Sequence, residues 1–209
     1  MGTKYNVIAG QSLERLAALS DGLFSVAMTL LVLDIHVPAF ASVHDEHGLW
    51  RALGALAPRL VPYLMSFMTL GIFWIGQQTQ MTFLARGDRN FAWIHIAFLL
   101  AVSLTPFSTA LLAEFISYRT ALVVYWLNIL LLGLVLFWSW RYAVRAGLVN
   151  QDAPPNASRA IERRIVVAQG LYAFGALLCL INTYCSIAFI VLVQLNYVFA
   201  PKVRALYRL

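Results

Sequence analysis

Two carboxylates, Asp21 and Asp34, stand in the first apolar stretch of this 209-residue chain, with Arg15 and Ser20 just ahead of them. They bracket twelve uncharged residues, about 18 Å of helix. A carboxylate facing lipid is costly, so each must face protein or water. At 100° per residue, Val26, Leu30 and Leu33 fall within about 60° of one another and form a narrow apolar stripe. Gly22 and Thr29 flank the stripe, and Asp34 lies at its outer end. Asp21 points roughly 140° away from Val26. It is expected on the packed side, satisfied by Arg15 or by a polar group of another helix. Lipid contact or plain helix packing would produce the same stripe, and periodicity does not choose between them.

Other reactive residue types carry less. His44-Asp45-Glu46-His47 offers imidazole and carboxylate donors, but adjacent acids in a short loop read as a solvated face. No metal site and no cofactor are expected. Cys179 and Cys185 are six residues apart, which on a helix points them about 120° away from each other, so no disulfide is expected between them. No nucleophile elbow, zincin motif, phosphate loop or pair of catalytic carboxylates occurs, and no enzyme is expected. His36 and His95 fall near the ends of apolar stretches and are read as interfacial. Ser103 and Ser108 are read as packing hydroxyls beside Pro106.

The elements that must position these residues follow from composition. Hydrophobic residues make up 61% of the chain and charged residues 11%, where soluble domains have about 45–50% and about 25%. The mean hydropathy is +0.76. A water-soluble domain of this size cannot hide so much apolar surface. The chain therefore reads as an all-α integral membrane protein, a single domain over residues 1–209. Apolar runs suggest six spans, at about 16–37, 56–76, 91–113, 121–140, 165–181 and 184–199. The last two are separated only by Asn182-Thr183, so they form a tight hairpin or one of them is partly re-entrant. Pro154-Pro155 marks a linker joining four spans to that hairpin.

Charge gives the orientation. Of the 15 Lys and Arg residues, only Arg51, Arg59 and Arg119 fall in outer loops when both termini are cytoplasmic. That is a strong positive-inside bias. The pI near 9.6 is thus a topology signal, with anionic lipid headgroups rather than nucleic acid as its partner. Ala39-Phe40-Ala41 mimics a cleavage site after an apolar run, but no basic cluster precedes that run and cleavage is not expected.

Arg15-x-x-x-Leu19-Ser20-Asp21-Gly22, with its apolar continuation to Leu33-Asp34, resembles the first-helix signature of the transmembrane protein 175 potassium channel family. Leu104-Thr105-Pro106-Phe107-Ser108-Thr109 is similar to the family's third-helix motif. Trp74, in Phe73-Trp74-Ile75-Gly76-Gln77-Gln78, resembles the tryptophan of its second helix. The resemblance implies a homotetramer in a cell membrane, taken to be a bacterial plasma membrane, with the first helix of each subunit lining a central pore for potassium. Counting from the Ser-Asp pair, it assigns the constriction to Val26, Leu30 and Leu33, the stripe already found from helical angles. Gly22, Thr29 and Asp34 flank the pore, and Thr29 matches a threonine that bears on ion selection. Arg15, Ser20, Asp21 and Trp74 form a structural network, and Thr105, Pro106 and Phe107 mark the third helix. Leu19 replaces the usual phenylalanine, and Gln77-Gln78 stand where histidines are common. Valine at position 26, where longer aliphatics are usual, implies a wider inner ring and weak to moderate selectivity. The rival reading is a proton- or cation-coupled secondary transporter. Transporters, however, place broken helices and ionisable groups near the midplane, whereas the acids here lie at span ends.

Overall fold

A computed structural model describes residues 12–38, 44–154 and 156–199. Lys4, Ala39-Phe40-Ala41, Lys202, Arg204 and Arg208 lie outside the described residues. Among the described residues the chain is helical apart from short loops and one isolated antiparallel bridge, Leu84 to Val149. The helices are α1 (Leu13–Leu30), α2 (Glu46–Gly54), α3 (Ala57–Thr82), α4 (Arg89–Ser103), α5 (Thr105–Glu114), α6 (Arg119–Arg145), α7 (Ala157–Leu177) and α8 (Thr183–Phe199). Short 3-10 turns, Leu31–Asp34 and Leu178–Leu180, extend α1 and α7.

Among the described residues, five helical stretches are long and apolar enough to cross a membrane: Leu13–Asp34, Ala57–Thr82, Arg89–Glu114, Arg119–Arg145 and Ala157–Leu180. The sixth expected span is the apolar but shorter α8, of 17 residues. Several helices overrun the apolar runs read from sequence. α3 continues six residues past Gly76, and α7 starts at Ala157 rather than Ile165. Hydropathy marks only the part of a helix that must avoid water, while backbone hydrogen bonding carries the helix on into the polar region.

The third expected span is two helices. The chain leaves α4 at Ser103, turns at Leu104 and enters α5 with Pro106 in its first turn. Proline lacks the N–H that a continuous helix would need, and in the first turn that donor is spare. The segment between α1 and α3 also holds an unexpected helix, α2. Asp45 caps it, accepting from the Gly48 N–H at 2.6 Å. The His-Asp-Glu-His run is thus a helix start, with Glu46 in its first turn.

The core of the bundle is aromatic and aliphatic. Phe24, Phe73 and Phe98 meet between α1, α3 and α4, with ring centroids 6.0–6.5 Å apart. At the basic end, the loop after α3 and the loop after α6 are stitched together. Ala85 N–H donates to Leu148 O, Asn150 N–H to Phe83 O, both at 2.8 Å, and Tyr142 OH to Asp88 at 2.7 Å. Gly147 makes the required turn at φ +65°. At the other end Arg59 pairs with Glu114 at 2.7 Å, tying the start of α3 to the end of α5.

Candidate functional site

α1 starts where Ser12 accepts the Arg15 N–H at 3.3 Å, with Glu14 in the first turn. From there it divides lengthwise. Ser20, Phe24, Ala27 and Leu31 are buried, a spacing of four, three and four that keeps them on one face. Gly22, Val26, Thr29, Leu30 and Leu33 lie on the other side and are exposed. Val26 is 54% exposed, Leu30 44% and Leu33 67%, so the stripe is left uncovered among the described residues. A Cβ added at Gly22 would meet nothing within 4 Å. No neighbour among the described residues therefore requires glycine there.

The 3-10 turn adjusts the stripe. With three residues per turn, Leu33 sits directly above Leu30 instead of about 60° round from it. The same winding carries Asp34 about 120° past Leu33. Asp34 is half-buried and its backbone carbonyl takes up His36 Nδ1 at 3.0 Å. Thr29 is exposed, and its hydroxyl donates back along the helix to Ser25 O (3.0 Å) and Val26 O (2.9 Å). With its proton turned inward, the oxygen presents lone pairs outward, which suits a cation.

Asp21 is not buried on the packed side. It is exposed at the flank of the packed face and is held from α3, where Trp74 Nε1 and Gln78 Nε2 both donate to its Oδ1 at 2.8 Å. Two donors from a neighbouring helix satisfy the carboxylate without Arg15, whose side chain is exposed. One residue earlier, the buried Ser20 hydroxyl donates to Leu16 O at 2.9 Å and shares a 2.6 Å hydrogen bond with His95 Nε2 of α4. Gln77 Nε2 of α3 reaches the same hydroxyl at 3.5 Å. Ser20 and Asp21 thus fasten α1 to α3 and α4 side by side.

His95 is the residue that reading the sequence misplaced. It is 2% exposed and stacks beside Phe91 and Phe98. The signal was present, because Phe91, His95, Phe98 and Val102 repeat at the spacing of a buried helix face. The third-helix motif is likewise part of the scaffold. Thr105 is buried and accepts from Asn128 of α6 at 3.0 Å, and Ser108 accepts from the same amide at 3.2 Å. Thr109 donates to Ser66 of α3 at 2.6 Å. Pro106 is half-buried at the break and Phe107 faces outward, 65% exposed. Asn128 and Gln194, which donates to Thr69 at 2.7 Å, join this interior polar chain and were not anticipated.

These features define a multi-pass helical membrane protein whose first helix is bolted to its neighbours by one face and bare on the other. Residues 15–106 match the family described as "Endosomal/lysosomal potassium channel TMEM175". A potassium channel of Streptomyces collinus is 33% identical over 192 residues, which span 88% of this chain and 91% of that protein. A potassium channel of Chamaesiphon minutus is 33% identical over 177 residues, 83% of this chain and 87% of that one. The crystal structure of a lysosomal potassium-selective channel TMEM175 homolog from Chamaesiphon minutus superposes with a TM-score of 0.79 at 28% identity. It covers 91% of this chain and 98% of its own. The chain belongs to the transmembrane protein 175 family.

Proposed function

We propose that this chain forms a potassium-selective cation channel in which four copies surround a central pore lined by α1. The observation that carries this reading is the bare face of α1. In a membrane a purely lipid-facing helix would be apolar all along that side, yet Arg15, Gly22 and Thr29 share it with Val26, Leu30 and Leu33. A second copy of the same face, related by rotation about an axis, gives those residues a protein-lined or water-lined environment.

In that assembly Val26, Leu30 and Leu33 form three stacked aliphatic rings. A narrow ring of this kind expels water and acts as a gate, because a cation entering it gives up hydration with no carbonyl to replace it. Opening widens the ring to admit a partly hydrated ion. Potassium holds its water less tightly than sodium and is favoured, weakly to moderately, with valine at 26 setting the wider ring. Thr29 oxygens, one residue before Leu30, offer the dehydrating ion a partner. Asp34, at the outer mouth, contributes negative potential that concentrates cations.

The topology that goes with this reading has six crossings in one 1–209 module, α8 being the sixth, with both termini cytoplasmic and a bacterial plasma membrane as the setting. Membrane lipids, monovalent cations and identical subunits are the partners, with potassium as the permeant ion rather than a cofactor. The test is ionic current from purified protein in planar bilayers, potassium on one side and sodium on the other, for wild type and Leu30→Ala. The expected result is discrete openings whose reversal potential favours potassium and whose conductance rises in the variant. Substrate-coupled uptake into liposomes without such openings would return the reading to a transporter.

A further inference from the structure

Away from the bare face of α1, helices α3, α6, α7 and α8 enclose a second space at the basic end of the bundle. This cavity has a volume of about 70 Å³, and Ile72, Phe73, Leu136, Ile165 and Ala168 give it a hydrocarbon wall. Arg164 and Tyr197 also line it, the guanidinium lying over the phenol ring at 5.8 Å from its centroid. Arg164 is exposed, so the space opens where the cation stands. Arg59 and Arg141 each have a carboxylate within 4 Å, whereas Arg164 has none among the described residues.

Deeper in, the cavity has a phenol that makes no close hydrogen bond, with the Gln194 amide near it. Tyr172 is 1% exposed and its hydroxyl has no hydrogen-bond partner among the described residues. Gln169 Oε1 beside it is also unpartnered, although Gln169 Nε2 donates to Ile129 O at 3.3 Å. Gln169 reaches that carbonyl only because residue 133 is glycine, since a side chain there would collide with the Gln169 amide. A buried phenol left unpaired is costly, and such groups are normally completed by water or a ligand.

The geometry points to a binding site for one anionic phospholipid, its phosphate on Arg164, an ester carbonyl accepting from Tyr172, and the first part of one acyl chain along the apolar wall. Eight residues of helix separate Arg164 from Tyr172, about 12 Å. Side chains lean toward the helix N-terminus, which on α7 is the Arg164 end, so the phenol hydroxyl lies nearer the headgroup than its Cα does. Charge complementarity selects the headgroup, because Arg164 is the cation that lines the cavity and it has no carboxylate beside it among the described residues. The site is independent of the pore and stands whether or not α1 conducts.

The test is native mass spectrometry of the full-length protein released from vesicles of equal phosphatidylglycerol and phosphatidylcholine. Wild type retains one tightly held phosphatidylglycerol per subunit, preferred about fivefold. Arg164→Gln brings the two lipids to parity, while Arg159→Gln, away from the cavity, keeps the preference. Ala168→Leu fills the cavity and loses the tightly held lipid of either headgroup; a thermal melt checks that the variant is folded. Retention in Arg164→Gln and Ala168→Leu equal to wild type would place the lipid on the general surface and overturn the site. So would an equal loss in Arg159→Gln, which would reduce it to a diffuse basic field. Displacement of the lipid by inorganic phosphate would make it a plain anion site and overturn the lipid assignment.

Discussion

Along α1 and its 3-10 extension, positions 20, 24, 27 and 31 are sealed against α3 and α4, whereas positions 22, 26, 30 and 33 are exposed among the described residues. Both faces are mostly apolar, so hydrophobicity does not separate them. What differs is where their polar groups go. On the sealed face, Ser20 is matched to His95 and Leu16 within the subunit. On the bare face, the Thr29 oxygen looks outward and glycine stands at 22 for no reason within the chain. One helix therefore carries two jobs, anchorage and exposure, and substitutions on its two faces are expected to fail in different ways.

The largest effect should come from the sealed face. Phe24→Ala removes a ring packed against Phe98 at 6.0 Å between centroids. A cavity there is expected to cost about 3 kcal/mol or more, read as a lower melting temperature in detergent. If the melting temperature is unchanged, α1 is not anchored by this face and the division of the helix fails.

Ser20→Ala comes next. It strips His95 of its 2.6 Å partner and leaves a nearly fully buried imidazole nitrogen unpaired. The expected cost is about 1–3 kcal/mol. Ser20→Thr keeps the hydroxyl and should recover part of it. Equal losses in both variants would assign the effect to packing rather than to the hydrogen bond.

Trp74→Phe sharpens the contrast further, because it removes one of two donors to Asp21 and keeps the ring's bulk. Gln78 still holds the carboxylate at 2.8 Å and Asp21 is exposed. The loss should therefore be about 1 kcal/mol or less. Pairing it with Gln78→Leu should cost more than the sum of the two single changes, since only the double variant leaves the carboxylate without a donor.

How far the sequence reached follows the same line. The stripe of Val26, Leu30 and Leu33 was legible because it rests on helical angle within one element. Asp21 and Trp74 come into one network only through the family resemblance, and a 2.8 Å hydrogen bond joins them. The third span reads as one helix in the sequence, and the break at Leu104 follows from Pro106, which the apolar run alone hides. The burial of His95 was not legible, because an imidazole is compatible with an interface or a core. Only the approach of Ser20, 75 residues away in sequence, decides between them. α2 was missed because nine residues with few apolar positions look like loop until Asp45 is seen to cap them. The cavity beside Arg164 depends on four helices at once and leaves no mark in any single stretch.

The smallest stability change is expected on the bare face, and there the two readings of that face part company. Leu30 and Thr29 are exposed, and the Thr29 hydroxyl bonds within its own helix, so Leu30→Ala and Thr29→Val should shift the stability of the isolated subunit by less than about 0.5 kcal/mol. If the face only contacts lipid, current is unchanged as well, because nothing passes it. If it lines a pore, the two variants separate. Leu30→Ala widens the ring and raises conductance while lowering the preference for potassium, since a wider ring strips less water from either ion. Thr29→Val keeps the shape and removes the outward oxygen, so it should lower conductance without widening anything. Opposite changes in current from neighbouring positions, with melting curves that overlay, are hard to obtain from packing alone. They would place the ion's path along this face of α1.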